Sequence, residues 1–483
     1  MVENMSSKSL CFLITFFLIS TLLIGGVIAP PLPELTPWDF VPKSPVVADG
    51  TVYSIGYNQN YEVFALDAAT GCNIWNFTIG NQSTFYYPPA IANKIAYVVG
   101  PKNRIFALDE TNGDQVWNYT ADLPLVSSPV VINGIVYGES RFSRVYALNA
   151  KTGDLIWKRS IGNETTVNVP GIMPAPLINE GRIYVEGFDY NYEIYALDAI
   201  NGTKIWNFSS DGSEGSEDPV YFISISNDIL LASRFNDMIA INATNGLLIW
   251  NYTKLRNLYH PPSKGYTDLY TVGYDRDHYV VSAIDAATSK QGWKFTPEKR
   301  NRWVNSWFSS LIFSNGTLYF GTEGNGIYAL NAFSGKPKWN YVTVNRVYHS
   351  PIISGEVVYA GDDSGIVYAI NAVTGEKIWD HPIDSSLGSA PVISHGIVFA
   401  ERYDNSIFAL NASTGNEMWN YKIGDAPICS VTNRTQSRIT STTENPELTA
   451  LDSVTTTPKS SLSIFLPIFG LIGVICVVVK RLH

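Results

Sequence analysis

Six histidines, four cysteines and a few acidic clusters are the residues through which this chain could carry chemistry, and their spacing narrows what that chemistry is. The histidines stand at His260, His278, His349, His381, His395 and His483, with no pair at the spacing a zinc site needs. Acidic residues gather as Asp362-Asp363-Ser364-Gly365, as Asp275 and Asp277 around Arg276, and as Asp211, Glu214, Glu217 and Asp218 in a Gly/Ser-rich stretch. Oxygen clusters of this kind suit a hard cation, but none has the spacing of an EF-hand loop, and they read as solvated turn carboxylates. No Gly-Lys-Ser phosphate loop, Gly-x-Ser-x-Gly elbow or Cys-x-x-Cys-His haem site occurs. The sequence names no catalytic, cofactor-binding or metal residue.

What recurs instead is an eleven-residue phrase: Ala, then Asp or Asn two residues on, a Thr-Gly-like turn, then Trp. Clean copies are Ala65, Asp67, Thr70, Gly71, Trp75 and Ala147, Asn149, Thr152, Gly153, Trp157. The nine motif tryptophans are Trp75, Trp117, Trp157, Trp206, Trp250, Trp293, Trp339, Trp379 and Trp419, spaced near roughly 43 residues, the span of one four-stranded propeller blade. Helical repeats are excluded because the stretches before each Trp are short β-branched runs broken by turn residues, as in Val130-Val131-Ile132-Asn133-Gly134-Ile135-Val136-Tyr137. Each module therefore reads as four short antiparallel strands, with the Asp/Asn-x-x-Thr-Gly segment as the last hairpin loop and Trp on the fourth strand. The Ala and Trp are expected to pack between blades, the wide ring lying flat where the facing residue is only a methyl. Some copies are worn: Ser289 replaces Gly in the sixth, and Asn112, Asn201 and Asn245 replace Thr in the second, fourth and fifth.

These residues carry a resemblance. Ala-x-Asp-x-x-Thr-Gly-x-x-x-Trp resembles the tryptophan-docking motif of the PQQ-type propeller repeats, shared by quinoprotein alcohol dehydrogenases and by non-enzymatic bacterial assembly lipoproteins. It covers residues 44–424 and implies an all-β propeller of PQQ-like four-stranded blades. Nine modules are counted; because such propellers commonly have eight blades, an eight-bladed ring is the alternative, and Trp38-Asp39-Phe40 is a candidate extra strand for closure. A quinoprotein reading requires PQQ with Ca²⁺, a catalytic Asp and, in many members, a pair of adjacent cysteines, and no adjacent pair is present. The repeat does not transfer an activity on its own.

The chain ends complete the expected organisation. Residues 1–29 read as a signal peptide, with Lys8 before an apolar run, and an uncleaved anchor is the alternative. Residues 30–43 are a leader, and residues 425–460 a Ser/Thr-rich linker. Residues 461–483 are a transmembrane anchor or sorting tail, apolar to Val479 and followed by Lys480 and Arg481. Stalk, apolar segment and basic tail also resemble archaeal surface-protein sorting signals, although Pro467-Ile468-Phe469 departs from their Pro-Gly-Phe.

The body would then face outside the cell. Sequons follow the motif Trp at Asn76, Asn118, Asn207 and Asn251, and others begin at Asn81, Asn163, Asn201, Asn242, Asn315, Asn411 and Asn433. Cys72 opens the fourth strand of the first module and Cys429 lies just past the ninth, so in a closed ring a disulfide between them would fasten the closure; two unpaired thiols are the alternative. A net charge of −10 without a basic stripe disfavours nucleic acid. The expectation is a membrane-anchored, cell-surface propeller, monomeric as an ectodomain, that acts as a binding or assembly scaffold for protein or glycan. Aromatics such as Tyr190, Tyr266, Tyr270 and Tyr274 in the longer segments suit an interface, with core packing as the alternative reading. The functional alternative is an extracytoplasmic PQQ-dependent dehydrogenase using the central funnel.

Overall fold

A computed structural model describes residues 44–422 apart from 59, 82–86, 141–143, 162–174, 188–192, 210–219, 227, 235–236, 256–261, 276–277, 298–307 and 325. The expected signal peptide, leader, linker and C-terminal segment, with Trp38-Asp39-Phe40, Tyr190, Asn163, Asn433 and Cys429, lie outside the described residues. The described chain is all β: 36 strands form nine four-stranded antiparallel sheets, each from four consecutive strands in meander order. Blade 3 shows the plan, with strands Val130–Ile132, Ile135–Ser140, Arg144–Asn149 and Leu155–Ser160. Nine blades form, not eight, and every worn copy of the phrase still makes one.

Each strand's burial follows from its place in the blade. First strands of neighbouring blades touch one another, as in blades 2 and 3 and in blades 9 and 1, which puts them nearest the axis. The second and third strands are covered on both faces by adjacent blades, so they carry continuous apolar runs such as Val145-Tyr146-Ala147-Leu148. The fourth strand is the exposed edge: in Leu155–Ser160 only Trp157 is buried. The described core is accordingly nine clusters, each lying between two blades. One of them joins Phe399, Ala409 and Trp419 of blade 9 to Val52, Phe64 and Leu66 of blade 1, which closes the ring.

Candidate functional site

The nine phrases build nine copies of one docking site. The Asp or Asn of each phrase folds the turn that receives the neighbour: Asp67 Oδ1 accepts the backbone N–H groups of Ala69 and Thr70, and the Thr70 hydroxyl. The amide of Gly71 closes the loop on the Asp67 carbonyl at 2.8 Å. The carbonyl of the residue after the Asp then accepts the indole N–H of the preceding blade. Trp117 Nε1 donates to Ala150 O at 3.0 Å, Trp157 to Ala199 O at 3.1 Å, and Trp419 to Ala68 O at 3.0 Å across the closure. The other six do the same, Trp75 on Glu110, Trp206 on Ala243, Trp250 on Ala286, Trp293 on Ala332, Trp339 on Ala372 and Trp379 on Ala412. In five junctions a tyrosine from the preceding blade's second strand bonds the same carbonyl; Tyr137 Oη donates to Ala199 O at 2.9 Å.

The turn glycine has a role that spacing alone did not show. A methyl at Gly153 would sit 2.6 Å from Trp117 Cδ2, and each of the eight turn glycines stands in the same way beneath the indole of the preceding blade. Positive φ, +77° at Gly153, is thus one of two reasons for glycine here. This corrects the expected packing partner. Ala147 pairs with Trp157 across strands of the same blade, and the flat surface under each indole in the next blade is the glycine turn. The worn copies keep the geometry. Ser289 holds a φ of 56°, and the Asn112, Asn201 and Asn245 side chains accept the N–H two residues on, as the Thr70 hydroxyl does from Cys72.

Buried carboxylates form the second set of candidate groups. Glu139, Glu186 and Glu401 occupy one register position, near the end of the second strand of blades 3, 4 and 9. All three are buried. Among the described residues Glu139 Oε1 and both Glu186 carboxylate oxygens have no hydrogen-bond partner, and burial pushes the Glu139 carboxyl up to about 8. Glu186 is also raised, first by burial and then by the charge of Glu139. Glu401 Oε2 accepts the Ser54 hydroxyl at 3.2 Å.

The acidic turns behave less uniformly than expected. Asp362 is not a solvated turn carboxylate: it is buried and accepts from the Ser364 and Ile366 amides, the Asn345 amide, the Ser364 hydroxyl and Tyr368 Oη. Sequence spacing missed this because two of the donors, the Asn345 amide and Tyr368 Oη, come from outside its own turn. Its neighbour Asp363 pairs with Arg346 at 3.6 Å. Asp275 pairs with Lys294 at 2.6 Å, while Arg276, Asp277 and the Asp211–Asp218 cluster lie outside the described residues. Asp122, which spacing did not single out, accepts from Tyr146 Oη and pairs with Arg144 and Lys158; the Tyr146 hydrogen bond foremost lowers it to about 2. His349 is half-buried with Nε2 3.2 Å from Leu387 O, and desolvation lowers it to about 4. Tyr270 packs in the core between blades 6 and 7, whereas Tyr266 is exposed. Cys72 is disulfide-bonded, and its expected partner Cys429 is not among the described residues. Asn76, Asn118, Asn207 and Asn251 are exposed on the fourth strands.

PQQ with Ca²⁺ would need several oxygens converging on one cation beside a flat slot. Aliphatic side chains of the described first strands, as in Val46-Val47-Ala48, pack against the clusters between blades. Among the described residues no three acids, histidines or cysteines are placed to hold a metal ion.

A closed ring of four-stranded blades, each pinned to the next by an indole over a tight turn that is glycine in eight of the nine, defines a PQQ-type propeller. The chain belongs to the family described as outer membrane protein assembly factor BamB, matched over residues 36–132, 123–257, 192–296, 276–428 and 354–457. No curated protein matches it in sequence. Similar solved structures include BamB from Moraxella catarrhalis, at 13% identity over 76% of this chain and 95% of that one, TM-score 0.48. Quinohemoprotein alcohol dehydrogenase from Comamonas testosteroni is 16% identical over 77% of this chain and 73% of its own, TM-score 0.46.

Proposed function

We propose that this chain is a membrane-anchored, cell-surface propeller that serves as a binding or assembly scaffold for protein or glycan. The observation that carries the reading is the use of the motif residues. Every motif indole is spent on holding blades together. The residue before Trp is a large apolar side chain exposed to solvent in six blades: Val116, Ile156, Ile205, Ile249, Ile378 and Met418. Such a rim is what a protein partner would cover.

Asn76, Asn118, Asn207 and Asn251 follow the indole on the same outward side of the strand, in blades 1, 2, 4 and 5. The Cys72 disulfide, taken with Cys429, ties the end of the ring to its start, and residues 461–483 hold the ring at the membrane. Nothing among the described residues favours the PQQ-dependent dehydrogenase.

Two measurements on the full chain test this. Membrane-impermeant biotin on intact cells should label the propeller, and deleting residues 461–483 should release it to the medium; labelling only after lysis would contradict the reading. Titrating PQQ with Ca²⁺ into the purified protein should give no saturable heat, and tight binding would restore the dehydrogenase.

A further inference from the structure

The turn between the first two strands of blade 7 departs from the repeat in three ways at once. Strands Ile312–Ser314 and Thr317–Thr322 pair with Ser314 opposite Thr317, so Asn315-Gly316 is a two-residue hairpin turn. Both residues have positive φ, 45° and 70°, the signature of a type I′ turn. It is the one such turn among the described residues that is also a sequon, Asn315-Gly316-Thr317; Asn133-Gly134-Ile135 in blade 3 is not. Two residues ahead stands Phe313, where other blades have Val47, Val131 or Ile353. Beside the turn stands Phe333, in a position filled elsewhere by Ala69, Lys151 or Ser413.

These changes make an aromatic surface around Asn315. A methyl on Gly316 would lie 3.1 Å from Phe333 Cε2, so the phenyl rests on the turn itself. Tyr266 of blade 6 stacks on Phe333, with ring centroids 6.0 Å apart and planes 7° apart, and meets Phe313 edge-on at 5.3 Å. Tyr266 and Phe333 are 64% and 63% exposed, an uncommon state for two large rings in contact. Such a platform suits the apolar C–H face of a sugar, which aromatic faces attract through their quadrupole.

We propose that Asn315 carries an N-linked glycan whose first sugar packs on Tyr266, Phe333 and Phe313. The inference rests on the extracytoplasmic reading of the propeller. Thr317 is buried in the folded blade and its hydroxyl accepts from Lys338 Nζ at 2.6 Å. The sugar is therefore attached to the unfolded chain and seats as blade 7 forms.

The test is to make the full chain in a glycosylating eukaryotic secretory host and map sequon occupancy by mass spectrometry of its peptides. Asn315 should be occupied. Asn315→Asp keeps a residue tolerant of the left-handed turn and removes the acceptor, and it should lower the Tm by roughly 1–3 °C. That drop should vanish in a Tyr266→Ala/Phe333→Ala background, where the platform is gone. A bare Asn315 in a protein occupied at Asn76 and Asn207 overturns this inference alone, whereas a secreted protein bare at every sequon sinks the exposure reading with it. An equal drop in both backgrounds overturns the packing. Binding of a free oligosaccharide to Asn315→Asp, lost on Phe333→Ala, with wild-type Asn315 bare, would assign the platform to an external glycan instead.

Discussion

The junction between blades 3 and 4 and the one that closes the ring between blades 9 and 1 share a docking frame and differ in what they bury beside it. In the first, Trp157 bonds Ala199 O and lies on Gly202; in the second, Trp419 bonds Ala68 O and lies on Gly71. Two residues past the position that gives Tyr137 in one and Phe399 in the other, each strand carries a buried glutamate. Glu401 Oε2 meets the Ser54 hydroxyl, whereas the position aligned with Ser54 in blade 4 is Val185, which offers Glu139 no hydroxyl. The frame therefore fixes the blades independently of the register position next to it. A carboxylate there is held either by a hydrogen bond or by keeping its proton.

The largest expected consequence is on the stability of the 3–4 junction as pH changes. Burial raises Glu139 from 4.5 to about 8, so the folded chain keeps a proton that the unfolded chain releases in between. Stability should be greatest below the unfolded value, fall as pH rises through that window and level off above it, by up to about 5 kcal/mol. Denaturant melts at pH 5 and pH 8 measure it. Glu139→Gln should flatten the slope, and an unchanged slope would mean that the carboxylate is hydrated.

Removing an indole should hurt both junctions alike. Trp157→Ala and Trp419→Ala each lose a buried ring and an inter-blade hydrogen bond, which costs about 3–5 kcal/mol, read as a shift of the denaturation midpoint. A much smaller loss at Trp419 would show that the Cys72 disulfide, rather than the indole, holds the closure. Ser54→Ala should weaken only the 9–1 junction, by about 1–3 kcal/mol, because it strips a donor from a buried carboxylate. The smallest effect belongs to the worn copies: Asn112→Thr exchanges one turn acceptor for another and should move stability by less than about 0.5 kcal/mol.

The strand plan and the blade count were legible because each blade repeats the same local signals: a tight hairpin before the second strand, Asn-Gly or Asp-Gly in blades 1, 3 and 7, an apolar third strand, and an Asp- or Asn-led turn before Trp. What spacing could not show was which blade a residue serves. Gly153 belongs by sequence to the phrase of Trp157, yet it lies under Trp117, 36 positions earlier. Tyr97, Tyr137, Tyr184, Tyr319 and Tyr359 share one register and bond the next blade's carbonyl, a signal present in the sequence as a recurring aromatic on the second strand. Glu139 and Glu186 were also visible in principle, as charged residues within runs that are otherwise buried. Asp362 was misread because the Asn345 amide and Tyr368 hydroxyl that bury it come from outside its own turn.

The central claim is that the phrase of one blade receives the indole of the preceding one. A double-mutant cycle on Trp117 and Gly153 tests it most directly, since the two belong to different phrases and touch only if the docking is as described. Gly153→Ala should cost about 2–4 kcal/mol in the wild-type chain, from the clash and the positive φ together, and only about 1 kcal/mol once Trp117 is alanine. Costs that add to within about 0.3 kcal/mol would contradict the account.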